Sequence, residues 1–228
     1  MSAFLTPATT AEAPPPAAAV LDFAPYATAG LRIFVLQRRI SLSPEAFQHL
    51  IDGIRHEYEA HTNALLAARA GIDRARVFHQ RMDAQMKAAE QCKPSCHKGC
   101  SGCCHCEVEI TTDEADLLAH VVRDGLEIDR ERLARQAHRA RKSPAWVVPL
   151  SSESRCVFLG DDGACRVYDD RPAVCRRHMV SSPPESCVTL GAAISPIQVP
   201  RAEILLSAAI AVKGTNFTSL AKSLTARL

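Results

Sequence analysis

The chain of 228 residues has no large excess of charge of either sign: 27 Lys and Arg stand against 25 Asp and Glu, a net charge of +2. So balanced a chain has little field to hold nucleic acid or an anionic membrane, and neither is an expected partner. No apolar run approaches the roughly 18 residues of a membrane span. The longest uncharged apolar stretch near the end, Ile204 to Val212, is short and is interrupted by Ser207. No Lys or Arg precedes Arg32. Met1 to Val20 therefore lacks the basic start and apolar run of a secretory signal, and the cytoplasm is the expected compartment. There is no internal repeat and no alternation of strand and helix, which argues against solenoids and parallel α/β sheets.

Cysteine is missing from the first 91 residues and from the last 41. All ten cysteines fall between Cys92 and Cys187. A reducing compartment keeps such thiols free, so clustered cysteines read as metal ligands or redox groups ahead of disulfides. The neighbours Cys103 and Cys104 add a geometric point. Adjacent Cα atoms lie about 3.8 Å apart, closer than the roughly 4.4–6.8 Å of ordinary disulfides.

Around this cluster the sequence predicts helices. Residues 1–30, rich in Ala, Pro and Thr with Pro14–Pro16 in a row, read as a disordered lead. Residues 31–91 read as a helical hairpin region. Leu31 to Leu36 is an apolar run of unassigned state. Ser43 and Pro44 form a helix start, followed by Phe47, Leu50, Ile51, Ile54 and Tyr58 at helical spacing. A second helix is predicted from about Asp73 to Glu90. Residues 92–190 read as the cysteine module and 191–228 as a helical tail divided near Gly214. Inside the module, Thr111 and Glu114 have capping-box spacing, and Asp129 could cap a basic helix through Arg141. Cys156 to Tyr168 reads as a short hairpin turned at Asp161-Asp162-Gly163. The expected fold class is mainly α: an irregular metal-stapled cysteine module with a short hairpin, flanked by helices.

The first cysteine group is Cys92, Cys96, Cys100, Cys103, Cys104 and Cys106; the second is Cys156, Cys165, Cys175 and Cys187. Short spacings let one loop aim several sulfurs at one ion, and Gly99 and Gly102 permit the tight backbone this needs. Ligands from the second group would close a long loop onto the first. The module has only three aromatics, Trp146, Phe158 and Tyr168. A core this thin fits a fold that draws stability from metal, as small zinc modules do. Ten cysteines exceed the four ligands of one site, which favours two sites or a small cluster. His97, His105 and His178 are further ligand candidates. Lys98, Arg166, Arg171, Arg176 and Arg177 flank the cysteines and could offset thiolate charge.

Three pieces of sequence carry a resemblance. They are Cys96-x3-Cys100-x2-Cys103-Cys104 with the helix start at Ile110 to Ala115; Cys156-Val-Phe-Leu with Asp162-Gly-Ala-Cys165-Arg-Val-Tyr168; and Arg171-Pro-Ala-Val-Cys175-Arg176. Together they resemble the CxxCxxCC, or YkgJ-type, cysteine-cluster family of zinc- or iron-chelating domains. The first gap holds three residues instead of two, and Cys92 and Cys106 look like additions. The resemblance implies metal ligation by Cys96, Cys100, Cys103, Cys104, Cys156, Cys165, Cys175 and Cys187. The implied cofactor is zinc or iron, the latter extending to an iron–sulfur cluster.

The expected function is metal binding, with a structural cluster and a partner-binding or metal-handling role for the rest of the chain. A protein partner would meet the helices. The alternative is an iron–sulfur enzyme such as a protein lysine methylase, since relatives with this cysteine domain include a flagellin lysine methylase. Cys96, Cys100 and Cys103 also share the spacing of the radical S-adenosylmethionine motif. The vicinal Cys104, and a helical reading of the 125 residues after Cys103, stand against that class. A non-enzymatic role is therefore expected first.

Overall fold

The computed structural model describes residues 20–141, 143 and 151–228. The Pro14–Pro16 run and Trp146 lie outside the described residues. Helix α1 spans Ala29–Ser41, α2 Pro44–Ala67 and α3 Ile72–Met86. Helix α4 spans Thr112–Arg123 and α5 Arg130–Ala137. The short α6 is Ala173–Arg177, and α7 and α8 are Pro200–Ala211 and Leu220–Thr225. Strands β1, Glu109–Thr111, and β2, Phe217–Ser219, pair antiparallel with Ile110 opposite Thr218. The chain is mainly α.

The helix starts follow the chemistry of the sequence. Ser43 caps α2 through Ala46 N–H, with Pro44 in the first turn. Thr111 and Glu114 close a full capping box on α4. Asp129 caps α5. The ends differ from expectation. Helix α3 stops at Met86 and tightens into a 3-10 turn over Lys87–Cys92. Helix α5 stops at Ala137, because Arg139 turns back to bond the carbonyl of Glu153 and the hydroxyl of Ser154. The run at Leu31–Leu36 is helical, inside α1. Residues 20–28, part of the stretch read as a lead, form turns that bury Leu21, Ala24 and Ala27.

Helix α7 sits at the centre. Ala202 to Ala209 are all buried, as expected for a helix apolar nearly all round. One side joins Leu65 of α2, Phe78 and Met82 of α3 and Ala173 of α6. Its other side joins Leu31, Phe47, Ile51 and Tyr58. A further core packs α4, α5 and α8 over Val157, Phe158 and Val167 of the cysteine module.

Two buried polar ties cross these layers. Glu203 of α7 pairs with Arg177 of α6 and accepts from the Thr28 hydroxyl at 2.6 Å. Gly30 makes room for that carboxylate: a Cβ there would lie 2.5 Å from Glu203 Cδ. The second tie is Glu114, 1% exposed. Its Oε1 takes His79 Nε2 at 3.0 Å and Ala173 N–H at 2.7 Å. Its Oε2 takes the N–H and hydroxyl of Thr111, each at 2.9 Å. A carboxylate only accepts, so His79 Nε2 carries the hydrogen. Burial alone would raise the Glu114 pKa, but these donors outweigh it and hold it below the ordinary value.

Gly30→Ala should destabilise the fold by ~1–3 kcal/mol in chemical denaturation, because the displaced Glu203 leaves buried partners unmet. That loss exceeds the roughly 0.5–1 kcal/mol that alanine can return in a helix. Glu114 carries a depressed native pKa, so its contribution is present above the unfolded value and is lost as pH falls through the folded one. Glu114→Gln should cost ~3–5 kcal/mol at neutral pH. The gap from wild type in thermal melting should narrow below the carboxylate range.

Candidate metal centre

The first cysteine loop is built almost without a core. From Cys92 to Cys106, only Gly102 is buried. Between residues 181 and 198, only Ser182 is buried. These two stretches nonetheless meet. Ser95 N–H donates to Val180 O at 2.9 Å, and Val180 N–H points at Cys96 Sγ at 3.4 Å. Cys103 and Cys104 sit on a 3-10 turn, Gly102–His105. The turn Pro184–Cys187 packs against it, so closely that a Cβ on Gly102 would lie 2.8 Å from Cys187 Cβ. That contact explains the glycine.

The second group arrives on firmer supports. Cys156 N–H donates to Cys104 O at 2.8 Å, tying the hairpin to the vicinal pair. Leu159 bridges to Cys165, and Gly163, with φ of 76°, turns the hairpin at its predicted place. Cys156 and Cys165 also pack against the core under α4, α5 and α8. Cys175 rides on α6, whose first residue, Ala173, is held by Glu114.

Seven cysteines line one cleft of about 1040 Å³: Cys100, Cys103, Cys104, Cys106, Cys156, Cys165 and Cys175. Cys96 and Cys187 border the same loop from outside its wall, through the contacts above. All ten cysteines are free. Cys92 is exposed at the end of the turn after α3.

The thiols feel one another. A hydrogen bond to Cys104, then burial, pushes Cys103 far up. Burial raises Cys156 to about 11, and the Cys165 and Cys103 charges add to it. Burial drives Cys175 well above the ordinary value, with Cys156, Cys103 and Cys165 adding. Cys187 is raised by burial, then by Cys100, Cys96, Cys103 and Cys106.

Of the five flanking cations, two act on the thiols. Arg171 and Arg166 oppose the rise at Cys165, Arg171 also does so at Cys103, and Arg166 at Cys156. Arg176 is committed to Asp83 at 2.6 Å, and Arg177 to Glu203. Lys98 lies over Tyr168, the ring Arg171 covers at 4.2 Å. His97 and His178 line the cleft, whereas His105 does not. The basic face of α5 is largely spent on Asp129, Glu131 and Glu153.

Among the described residues, no three Cys, His, Asp or Glu side chains are drawn closely enough to hold an ion as they stand. The donor set nevertheless fits zinc or iron in kind, being soft, mutually coupled sulfurs from two segments. Glu114, although charge-coupled to Cys175, is not a ligand candidate. Both of its oxygens already accept two bonds. Its capping role was visible in the sequence; its His79 and Ala173 partners, 35 and 59 residues away, were not.

Residues 95–191 match the model of a family described as "CxxCxxCC: Putative zinc- or iron-chelating domain". Over that stretch the chain is similar to the CxxCxxCC family. No curated protein and no solved structure matches it. The matched stretch begins after Cys92 and takes in the other nine cysteines, with the hairpin, α6 and the turn ending at Cys187. Helices α1–α3 and α7–α8 lie outside it.

In the reduced, metal-free chain, exposed Cys92 should alkylate early, and Cys103, Cys156 and Cys175, whose thiols are pushed furthest up, should alkylate last, because thiolate is the reactive form. Peptide mapping of a timed iodoacetamide reaction reads the order. The Cys156 rate should climb steeply as pH rises toward about 11.

Proposed function

We propose that the chain binds zinc or iron through Cys96, Cys100, Cys103, Cys104, Cys156, Cys165, Cys175 and Cys187. The bound metal would staple the CxxCxxCC domain onto its helical wrapping. One observation carries this reading: the loops bearing Cys96–Cys104 and Cys187 bury almost no side chain, yet Cys100, Cys103 and Cys104 share a cleft with the cysteines of the cored hairpin and α6. Hydrophobic burial does not hold such loops in place; metal–thiolate bonds would. Zinc would close four-thiolate sites, and iron would be held as a sulfur-ligated cluster. A reducing compartment such as the cytoplasm keeps the thiols available. A protein partner would use α1, where Ile33, Leu36 and Ile40 stand exposed at helical spacing.

A second reading, an iron–sulfur enzyme, is favoured by the cleft itself. A purely structural centre has no need of an opening of about 1040 Å³ beside its ligands, lined also by Arg171 and His178. Protein lysine methylation is one activity this reading allows.

Anaerobic purification with elemental analysis and a visible spectrum separates the two. Stoichiometric zinc in a colourless protein supports the structural reading, and iron with acid-labile sulfide supports the cluster. A metal-free chain that folds with ten titratable thiols overturns both. An ion held at about 1,000 times its Kd adds about 4 kcal/mol, so chelation should lower Tm by ~10 °C. The thiols must lose protons to bind, and their pKa values are raised, so affinity should strengthen with pH.

A further inference from the structure

We infer that the cleft takes a small organic anion, its charged head met by Arg171, Arg32 and Lys213 and its apolar body by Val108, Val174, Ile210 and Phe217. All of these residues line the cleft. The inference rests on the iron–sulfur enzyme reading only in sharing its cleft: it names the class of molecule that the opening admits, and none of the recognising residues is a cysteine.

Charge selects the sign of the ligand. The acids of the wall are Glu107 and Glu109, and Arg141 Nη2 donates to Glu109 Oε2 at 3.1 Å. Among its cations, Arg177 is spent on Glu203. Arg32, Arg171 and Lys213 have no carboxylate partner among the described residues. The chain as a whole is nearly balanced, so this surplus is local, and a cleft with low-dielectric walls concentrates its field. Two of the three cations are also held in place. The Arg171 guanidinium lies over the Tyr168 ring at 4.2 Å and donates no hydrogen bond among the described residues. Such a planar fork matches a carboxylate or phosphate through two bonds. Arg32 is pinned by Nε on Ala27 O at 3.0 Å and Nη2 on Pro25 O at 3.4 Å.

Carbon surface selects the rest of the ligand. Val174, Ile210 and Phe217 pack on the core beside α7, and Val108 on that under α4, yet all four stay only partly buried. Tyr26, 60% exposed, lines the same cleft. A bare inorganic anion would leave this carbon in water, and a neutral apolar molecule would leave the three cations unmet. An opening of about 1040 Å³, apolar with a few placed charges, suits a drug-sized molecule carrying both features.

The test titrates the natively purified full chain with anilinonaphthalene sulfonate, an aromatic body bearing one anionic group, and follows fluorescence. Its neutral counterpart, phenyl naphthylamine, is titrated alongside. The sulfonate should bind ~10-fold more tightly than the neutral probe. Arg171→Gln should weaken it ~10-fold, the size of one charged hydrogen bond, and Lys213→Gln ~3-fold, that of an exposed ion pair. Arg130→Gln, on α5 outside the cleft, should leave it unchanged. Displacement by octanoate or by octyl phosphate tells a carboxylate head from a phosphate ester. Equal affinity for both probes, no change in either cleft variant, or displacement by neither competitor overturns the inference. Should Arg171→Gln fail to fold, Lys213→Gln and the neutral probe decide. Iron and sulfide assayed in the same sample keep the two questions apart. Selective binding by a zinc protein upholds the inference and removes the iron–sulfur enzyme; iron and sulfide without selective binding does the reverse.

Discussion

The carboxylate of Glu114 fixes how the helical wrapping meets the cysteine module. Its four hydrogen bonds join α3 through His79, the β1–α4 junction through Thr111 and the start of α6 through Ala173. Each lone-pair direction is used, so the buried charge is fully compensated. Two residues beyond Ala173 stands Cys175. The position of that thiol therefore depends on a carboxylate remote from it in sequence. Arg176, next on the same helix, repeats the logic outward by gripping Asp83 of α3.

This arrangement splits the molecule into parts held by different forces. Helices α1–α5, α7 and α8 share buried apolar cores of the usual kind. The hairpin borrows one of these cores through Phe158 and Val167. The outer loops have none to borrow. Their thiols are also an electrostatic problem. Ionised together they repel, and the two arginines that act on them, Arg166 and Arg171, are too few to neutralise eight charges. Arg176 and Arg177 are spent on Asp83 and Glu203. Divalent ions would remove the repulsion and supply the missing cohesion at once, which is why metal binding is the economical reading of these loops.

Local signals in the sequence were legible because their chemistry is local. Ser43 with Pro44, the Thr111–Glu114 box, Asp129 and the Gly163 turn all act within a few residues. The cysteine spacings pointed to metal for the same reason. What stayed hidden depends on distant partners. Three-residue strands such as β1 and β2 are too short to show alternation, and they pair across 108 residues. The helical state of Leu31–Leu36 is set by packing under α2 and α7, not by its own pattern. Flanking arginines looked alike in the sequence; only tertiary contacts separate Arg171, beside thiols, from Arg177, bound to Glu203.

The central claim is that sulfurs from both cysteine groups bind metal together. X-ray absorption at the zinc or iron edge of the natively purified chain tests it most directly. The account predicts a first shell of sulfur near 2.3 Å, as in closed thiolate sites. A first shell dominated by oxygen or nitrogen at roughly 2.0–2.2 Å would contradict it.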